Sequence, residues 1–296
     1  MSTDIKPGLV EQTYFHRLAI ATPNYQEFID WFGHLLGTVS IDDRYIQPHG
    51  IPFGLEYSPT QAKESGADLN TIWLGTMPFV IFSADGPDSP IASFIEKFGT
   101  ALHSVAWHVP DLWKADSTLR RHGYRLTGYD IPGRHFFIHP ADTSWMLIEL
   151  SDTHFAQDPR DYDDVLPAPP ADAVVKGAKF AWLTMAAEDP RASADNIAKL
   201  FDTSEVTNYP TEDGQEVVDL KVYDIITRFT KRDSATSERD YLHSMCFAVP
   251  DLADTCDRLR AAGIRVTSQT ETSAWTEAAD TKGLLMQWVP TSSLPN

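Results

Sequence analysis

The sequence predicts an α+β chain built from four strand–helix–strands modules in two pairs. Three observations carry that reading. Leu102–Leu112 (LHSVAWHVPDL) and Leu242–Leu252 (LHSMCFAVPDL) are near-copies of one another. Each leads into a helical stretch that ends on glycine at the same offset, Gly123 and Gly263. The plan recurs more faintly at His16–Gly37 and at Phe180–Phe201. A repeat of this length is one supersecondary unit used again, and it settles the architecture before any single residue is read.

In the first module, Leu18, Ile20 and Thr22 alternate with Arg17, Ala19 and Ala21, the period of a strand. Pro23-Asn24 then opens a helix. Its apolar residues Phe28, Trp31, Phe32, Leu35 and Leu36 fall at helical spacing, and Gly37 stops it. Asp42–Asp68, rich in Gly, Pro and polar residues, reads as a surface loop or as a lid over a pocket. Further strands follow within Leu69–Ser83.

The second module has a strand at 103–109, a helix at 111–122 and strands at roughly Tyr124–Tyr129, Arg134–Ile138 and Trp145–Leu150. Val105, Trp107 and Val109 make its bulky face, and Ser104, Ala106 and His108 the other. The last module repeats the design, with Met245, Phe247 and Val249 set against Ser244, Cys246 and Ala248. Small or polar residues along one face of a curved sheet suit a lined cavity rather than a filled core. Between the halves, His154–Gly177 is rich in proline and acid, a linker or a surface strap. The chain therefore divides into an N-terminal domain (1–153), the linker (154–177) and a C-terminal domain (178–296).

At 296 residues, with 42% hydrophobic content, two cored domains are affordable. There is no apolar run long enough to span a membrane. The N-terminus lacks the basic and apolar regions of a secretory signal. Cys246 and Cys256 are a reduced, cytoplasmic usage rather than a disulfide framework. The net charge of −18 disfavours nucleic acid and anionic membrane surfaces as partners. Surface charge does not identify the substrate, and a four-module chain can be a monomer or a homodimer.

The tandem strand–ProAspLeu–helix–Gly unit resembles the vicinal oxygen chelate superfamily, which includes glyoxalase I, methylmalonyl-CoA epimerase, extradiol dioxygenases and the bleomycin and fosfomycin resistance proteins. His135–Leu150 (HFFIHPADTSWMLIEL) is similar to the terminal strands of the epimerase branch. The resemblance covers residues 14–151 and, more faintly, 178–290. It implies paired βαβββ modules, each pair curling into an open half-barrel sheet around a site.

Members of that superfamily usually hold a divalent metal there. Its ligand positions carry over to Arg17, Val80, Ser104 and Glu149, of which only Glu149 is a ligand type. The second-domain equivalents are Trp182, Ser244 and Gln287, so that site reads as degenerate or structural. His16, His103 and His243 each precede a ligand position by one residue. Strict alternation turns them toward the helix layer. Strand bulges would instead re-aim His16 and His103 and give a His16–His103–Glu149 triad for Fe, Mn or Zn.

The favoured site needs no metal or other cofactor. Arg17 would take the metal's place and hold a substrate oxygen, with Ser104 as a second donor. Glu149 and His108 would move protons. His135 and Trp145 are further substrate-binding candidates. His139 on the terminal strands and Glu56 and Tyr57 in the loop are lesser ones. The function expected is isomerase-, lyase- or cyclase-type proton transfer on a carbonyl, enol or aromatic substrate. The alternatives are a metal-dependent extradiol-type ring-cleaving dioxygenase and a non-catalytic, ligand-sequestering resistance-type protein.

Overall fold

The computed structural model describes residues 8–40, 45–46, 67–128, 135–155, 157–162, 165–202, 204–210 and 216–294. The expected loop or lid at Asp42–Asp68 lies almost wholly outside these residues, as do Glu56 and Tyr57.

The first half runs β1 (Tyr14–Ala21), α1 (Tyr25–Leu36), β2 (Val39–Ser40), β3 (Tyr45–Ile46), β4 (Ala67–Leu74), β5 (Met77–Ala84), α2 (Pro90–Phe98), β6 (Ala101–His108), α3 (Leu112–Arg121), β7 (Leu126–Thr127), β8 (His135–Ile138), β9 (Ile148–Ser151) and β10 (His154–Phe155). The second runs β11 (Lys179–Ala187), α4 (Pro190–Ala198), β12 (Ser204–Pro210), β13 (Glu216–Val222), β14 (Ile225–Lys231), β15 (Tyr241–Val249), α5 (Leu252–Ala261), β16 (Val266–Gln269), β17 (Ala274–Thr276) and β18 (Leu285–Pro290).

Each half makes one open eight-stranded sheet. The orders are β2-β4-β5-β1-β6-β9-β8-β7 and β12-β13-β14-β11-β15-β18-β17-β16, the same topology twice. This is the α+β class and the repeated module that the sequence predicts.

Local chemistry explains the repeated motif. The side chains of Asn24, Asp111, Asp189 and Asp251 each cap the helix that follows, accepting from the N–H groups of Glu27, Lys114, Ala192 and Asp254. Gly37 closes α1 at φ 74°, in the left-handed region that glycine enters without strain. A second repeated device ties the terminal strands. The N–H of Arg125 donates to Asp142 Oδ2 at 2.9 Å, and that of Arg265 to Asp280 Oδ2 at 3.0 Å. In both cases the guanidinium bonds the same carboxylate, holding it below the usual carboxylate range.

Two elements differ from the expected ones. Pro90–Phe98 is a helix, capped by Ser89, that the sequence reading passes over. The expected strand Trp145–Leu150 begins only at Ile148, because Ser144 and Trp145 take positive φ (51° and 67°) in a turn. The linker is a strap that includes β10. The N–H groups of Val174 and Val175 donate to the His34 and Leu35 carbonyls (both 2.9 Å), meeting acceptors that the end of α1 leaves open.

The compact units interleave along the chain. Unit one is Met1–His16, Ser104–Thr153 and Trp182–His243; unit two is Arg17–His103, His154–Ala181 and Ser244–Asn296. In unit one, Trp107 packs on Phe15 (5.5 Å between ring centres) and on Phe201 (4.7 Å). In unit two, Phe32 of α1 meets Phe79 and Phe247, and Phe180 meets both of those rings. Residues from the second and third modules thus share one core, and residues from the first and last share the other.

Candidate functional site

Unit one carries the candidate site on the faces of β6, β9 and β8. β6 pairs in parallel with β9, setting Ala106 opposite Glu149 and His108 opposite Ser151. β8 pairs antiparallel with β9, setting Phe137 opposite Glu149 and His135 opposite Ser151. Residues directly across a ladder share a face, so two rows form. One is His135, Ser151 and His108; the next is Phe137, Glu149 and Ala106. Ser104 extends the same face of β6. The intervening residues Val105, Trp107, Phe136, Ile138, Ile148 and Leu150 are all buried on the opposite face. The alternation expected for Ser104, Ala106 and His108 holds.

Glu149 is 2% exposed and Ser104 1%. His108 is fixed from several sides. Its Nδ1 is 2.5 Å from Thr13 Oγ1, its carbonyl accepts from Thr13 N–H (3.0 Å), and its ring stacks on Tyr14 at 4.6 Å and 9°. Thr13, Tyr14 and Ser151 were missed in the sequence. Ser151 was available to the period-two rule from Glu149, and Tyr14 from His16. The Thr13 bond depends on a contact between distant segments and left no local signal.

His16 is fully buried, and its ring lies 6.2 Å from Tyr14 at 20°. Tyr14 stacks on His108, so His16 shares the His108 face rather than the opposite one that strict alternation assigns. The start of β1 is also tied to a side chain, Phe15 N–H donating to Asp224 Oδ1 (3.0 Å). His135 is half-buried, its ring edge-on to Phe137. Trp145 stands in its turn, with Arg239 4.2 Å above its ring. His139 caps a short 3₁₀ turn, accepting from Ala141 N–H.

Unit two holds the other candidates. Arg17 is half-buried in β1. Val80 sits across from Ala19, and with Ala21, Ala67 and Phe82 it forms a buried cluster that Ile91, Phe94 and Ile95 of α2 cover. His103 lies edge-on to Phe82 and Phe94 at 5.0 and 4.9 Å. Phe82 alternates with Phe79, which meets α1, so His103 sits on the face away from α1 and not toward it. Burial lowers its pKa to about 4 and keeps the imidazole neutral. Burial lowers that of His243 as well. Ser244 is buried, Gln287 lies across from Cys246, and both cysteines are buried free thiols.

Among the described residues no three His, Cys, Asp or Glu side chains gather as a metal site. Among those residues, no helix is long and apolar enough to cross a membrane.

Residues 16–137 match the model of a family described as Glyoxalase/Bleomycin resistance protein/Dioxygenase superfamily. Over 100 residues the chain is 30% identical to the ethylmalonyl-CoA/methylmalonyl-CoA epimerase of Cereibacter sphaeroides, spanning 31% of this chain and 75% of that one. A triple mutant of 4-hydroxymandelate synthase from Streptomyces coelicolor superposes with a TM-score of 0.57 at 13% identity, over 94% of this chain and 92% of that one. That likeness is one of fold. Methylmalonyl-CoA epimerase from Mycobacterium tuberculosis, at 22% identity, covers 51% of this chain and 91% of its own; its TM-score of 0.36 carries no argument.

Proposed function

Because the chain belongs to the glyoxalase/bleomycin resistance protein/dioxygenase superfamily, we propose that it is an enzyme moving a proton on a small oxygenated substrate, with Glu149 and His108 as the acid–base pair. The observation behind this is the register of β6 and β9. It sets the two side chains on one face as diagonal neighbours.

Glu149, as carboxylate, takes a proton from the carbon beside a carbonyl, and the electron pair moves onto the carbonyl oxygen. Ser104, on the same face, donates to that developing oxyanion. His108, as imidazolium, returns a proton to the carbon, which inverts or restores its configuration. Thr13 engages Nδ1, so Nε2 is the nitrogen assigned to this exchange. Arg17, expected to hold a substrate oxygen, is in the other unit, and this reading does not draw on it. A relative named as an epimerase supports the reaction type. The ring-cleaving reading calls for a three-donor metal site, and no observation favours it over proton transfer.

The test is deuterium uptake at carbon, followed by proton NMR in heavy water, against a panel of acyl thioesters and carbonyl acids. Exchange with at least one substrate is expected, falling about 100-fold or more in Glu149→Gln. Exchange that is unchanged in Glu149→Gln and in His108→Asn would sink the proposal. A chelated sample run in parallel reads any metal requirement directly.

A further inference from the structure

The second sheet carries a polar cluster that the proton transfer does not use. Within unit one, β11, β14, β13 and β12 lie side by side. Their register sets Thr184 across from Arg228, Arg228 across from Asp219, and Asp219 across from Thr207. Trp182 precedes Thr184 by two residues and Tyr209 follows Thr207 by two, so all of them share a face. Helix α4 serves the other face, where its Arg191 reaches Asn208 at 3.1 Å.

The centre of the cluster is Arg228. Its Nε and Nη2 each donate to one oxygen of Asp219 at 2.9 Å. Its guanidinium carbon lies 3.7 Å from the centre of the Trp182 ring and 5.4 Å from that of Tyr209. The Tyr209 hydroxyl donates to Asp219 Oδ2 at 2.9 Å. Burial pushes that hydroxyl's pKa up, with Asp219 adding to the shift and Arg228 opposing it, so it stays protonated as a donor.

Two donors on this face are left over. Trp182 is 2% exposed and Thr184 3%, and among the described residues neither indole Nε1–H nor Thr184 Oγ1 has a hydrogen-bond partner. Native proteins seldom leave a buried donor unmet, because it has given up water for nothing. Here two stand two residues apart on one strand, beside a guanidinium and between aromatic rings. The cluster offers donors and flat apolar surface. Its formal charge is already cancelled within the Arg228–Asp219 pair, so an added anion would be left without a balancing charge.

We infer that the Trp182–Thr184–Arg228 face is a second ligand site, taking the carbonyl oxygen of a small uncharged aromatic compound. The oxygen accepts from Trp182 Nε1–H and Thr184 Oγ1–H, and the ring of the ligand packs among the Trp182 and Tyr209 side chains. Nothing in this depends on Glu149 or on the proposed proton transfer.

The experiment uses the full chain with its eight tryptophans labelled with nitrogen-15, the Trp182 indole resonance being assigned by its loss in Trp182→Phe. Acetophenone is the probe, with benzoate as its anionic counterpart. Saturable movement of the Trp182 N–H resonance is expected with acetophenone, and at least tenfold weaker binding with benzoate. Thr184→Val, close in shape and suited to a strand, should weaken acetophenone at least fivefold with the fold intact. Glu149→Gln should bind as the parent does. An unmoved Trp182 resonance at millimolar acetophenone overturns the inference. So does Thr184→Val binding acetophenone unchanged, which would make the hydroxyl a mere structural cost.

Discussion

Replacing Arg228 with methionine tests the cluster on the second sheet most directly. Methionine keeps much of the stem against Trp182 and deletes the charge. Asp219, with a side chain only 13% exposed, would then keep just the Tyr209 bond among those described above. Breaking a fully buried pair costs about 3–5 kcal/mol. The two side chains here are 19% and 13% exposed, so solvent relieves part of that and about 2–4 kcal/mol is expected. The lost guanidinium–indole contact falls within this figure, at about 1 kcal/mol. Asp219→Asn keeps an acceptor and should cost less, about 1–2 kcal/mol. Because each single variant strands the other partner, Arg228→Met with Asp219→Leu should cost less than Arg228→Met and Asp219→Leu measured singly and summed, by about 2 kcal/mol. The assay is urea unfolding at pH 7.5, followed by tryptophan emission and by far-ultraviolet circular dichroism. Coincident transitions license the free energies. Repeating the cycle in about 0.5 M salt should change the coupling little, since a buried pair is poorly screened. Single variants costing under about 0.5 kcal/mol, with a coupling that salt removes, would mean an ordinary surface ion pair and would refute the reasoning.

Two further outcomes follow from named contacts. Burial lowers the His103 pKa to about 4, so the unfolded chain, near 6.5, binds the proton more readily than the folded one. Its stability contribution is then complete above about pH 6.5 and is lost as pH falls toward 4. Discounting for a half-buried ring leaves about 1 kcal/mol lost between pH 7 and 5; His103→Phe should flatten that limb, and an unaltered pH profile in urea titrations would count against it. Gly128 has φ 72°, and a Cβ there would meet Phe137 Cδ2 at 2.4 Å. Gly128→Ala should therefore cost about 1–2 kcal/mol in backbone strain alone and shift Phe137, the neighbour of Glu149. A melting midpoint equal to the parent's would show the loop absorbs the change.

The site was partly legible for a physical reason. Alternation along a strand is local, so Ser104, Ala106 and His108 fall on one face from sequence alone. Which residues lie across from them is not local, and only pairing shows that His108 meets Ser151 and Ala106 meets Glu149. His16 and His103 show where a strict period misleads, since a strand's start can be drawn to another partner, as Phe15 is to Asp224. The second domain's ligand positions read as degenerate because a Trp and a Ser are poor metal ligands. Arg228 and Asp219 are not adjacent in sequence and met only when β13 folded back on β14.

The sequence by itself determined the module and its repetition. Helix caps, glycine stops and period-two faces are set within a few residues, and Asn24, Asp111, Asp189 and Asp251 do the same work in all four copies. Only the tertiary structure decided how modules share cores. Phe32 belongs with Phe247, and Trp107 with Phe201, because aromatic faces carry no address in sequence and bury against whichever distant surface the sheets bring to them.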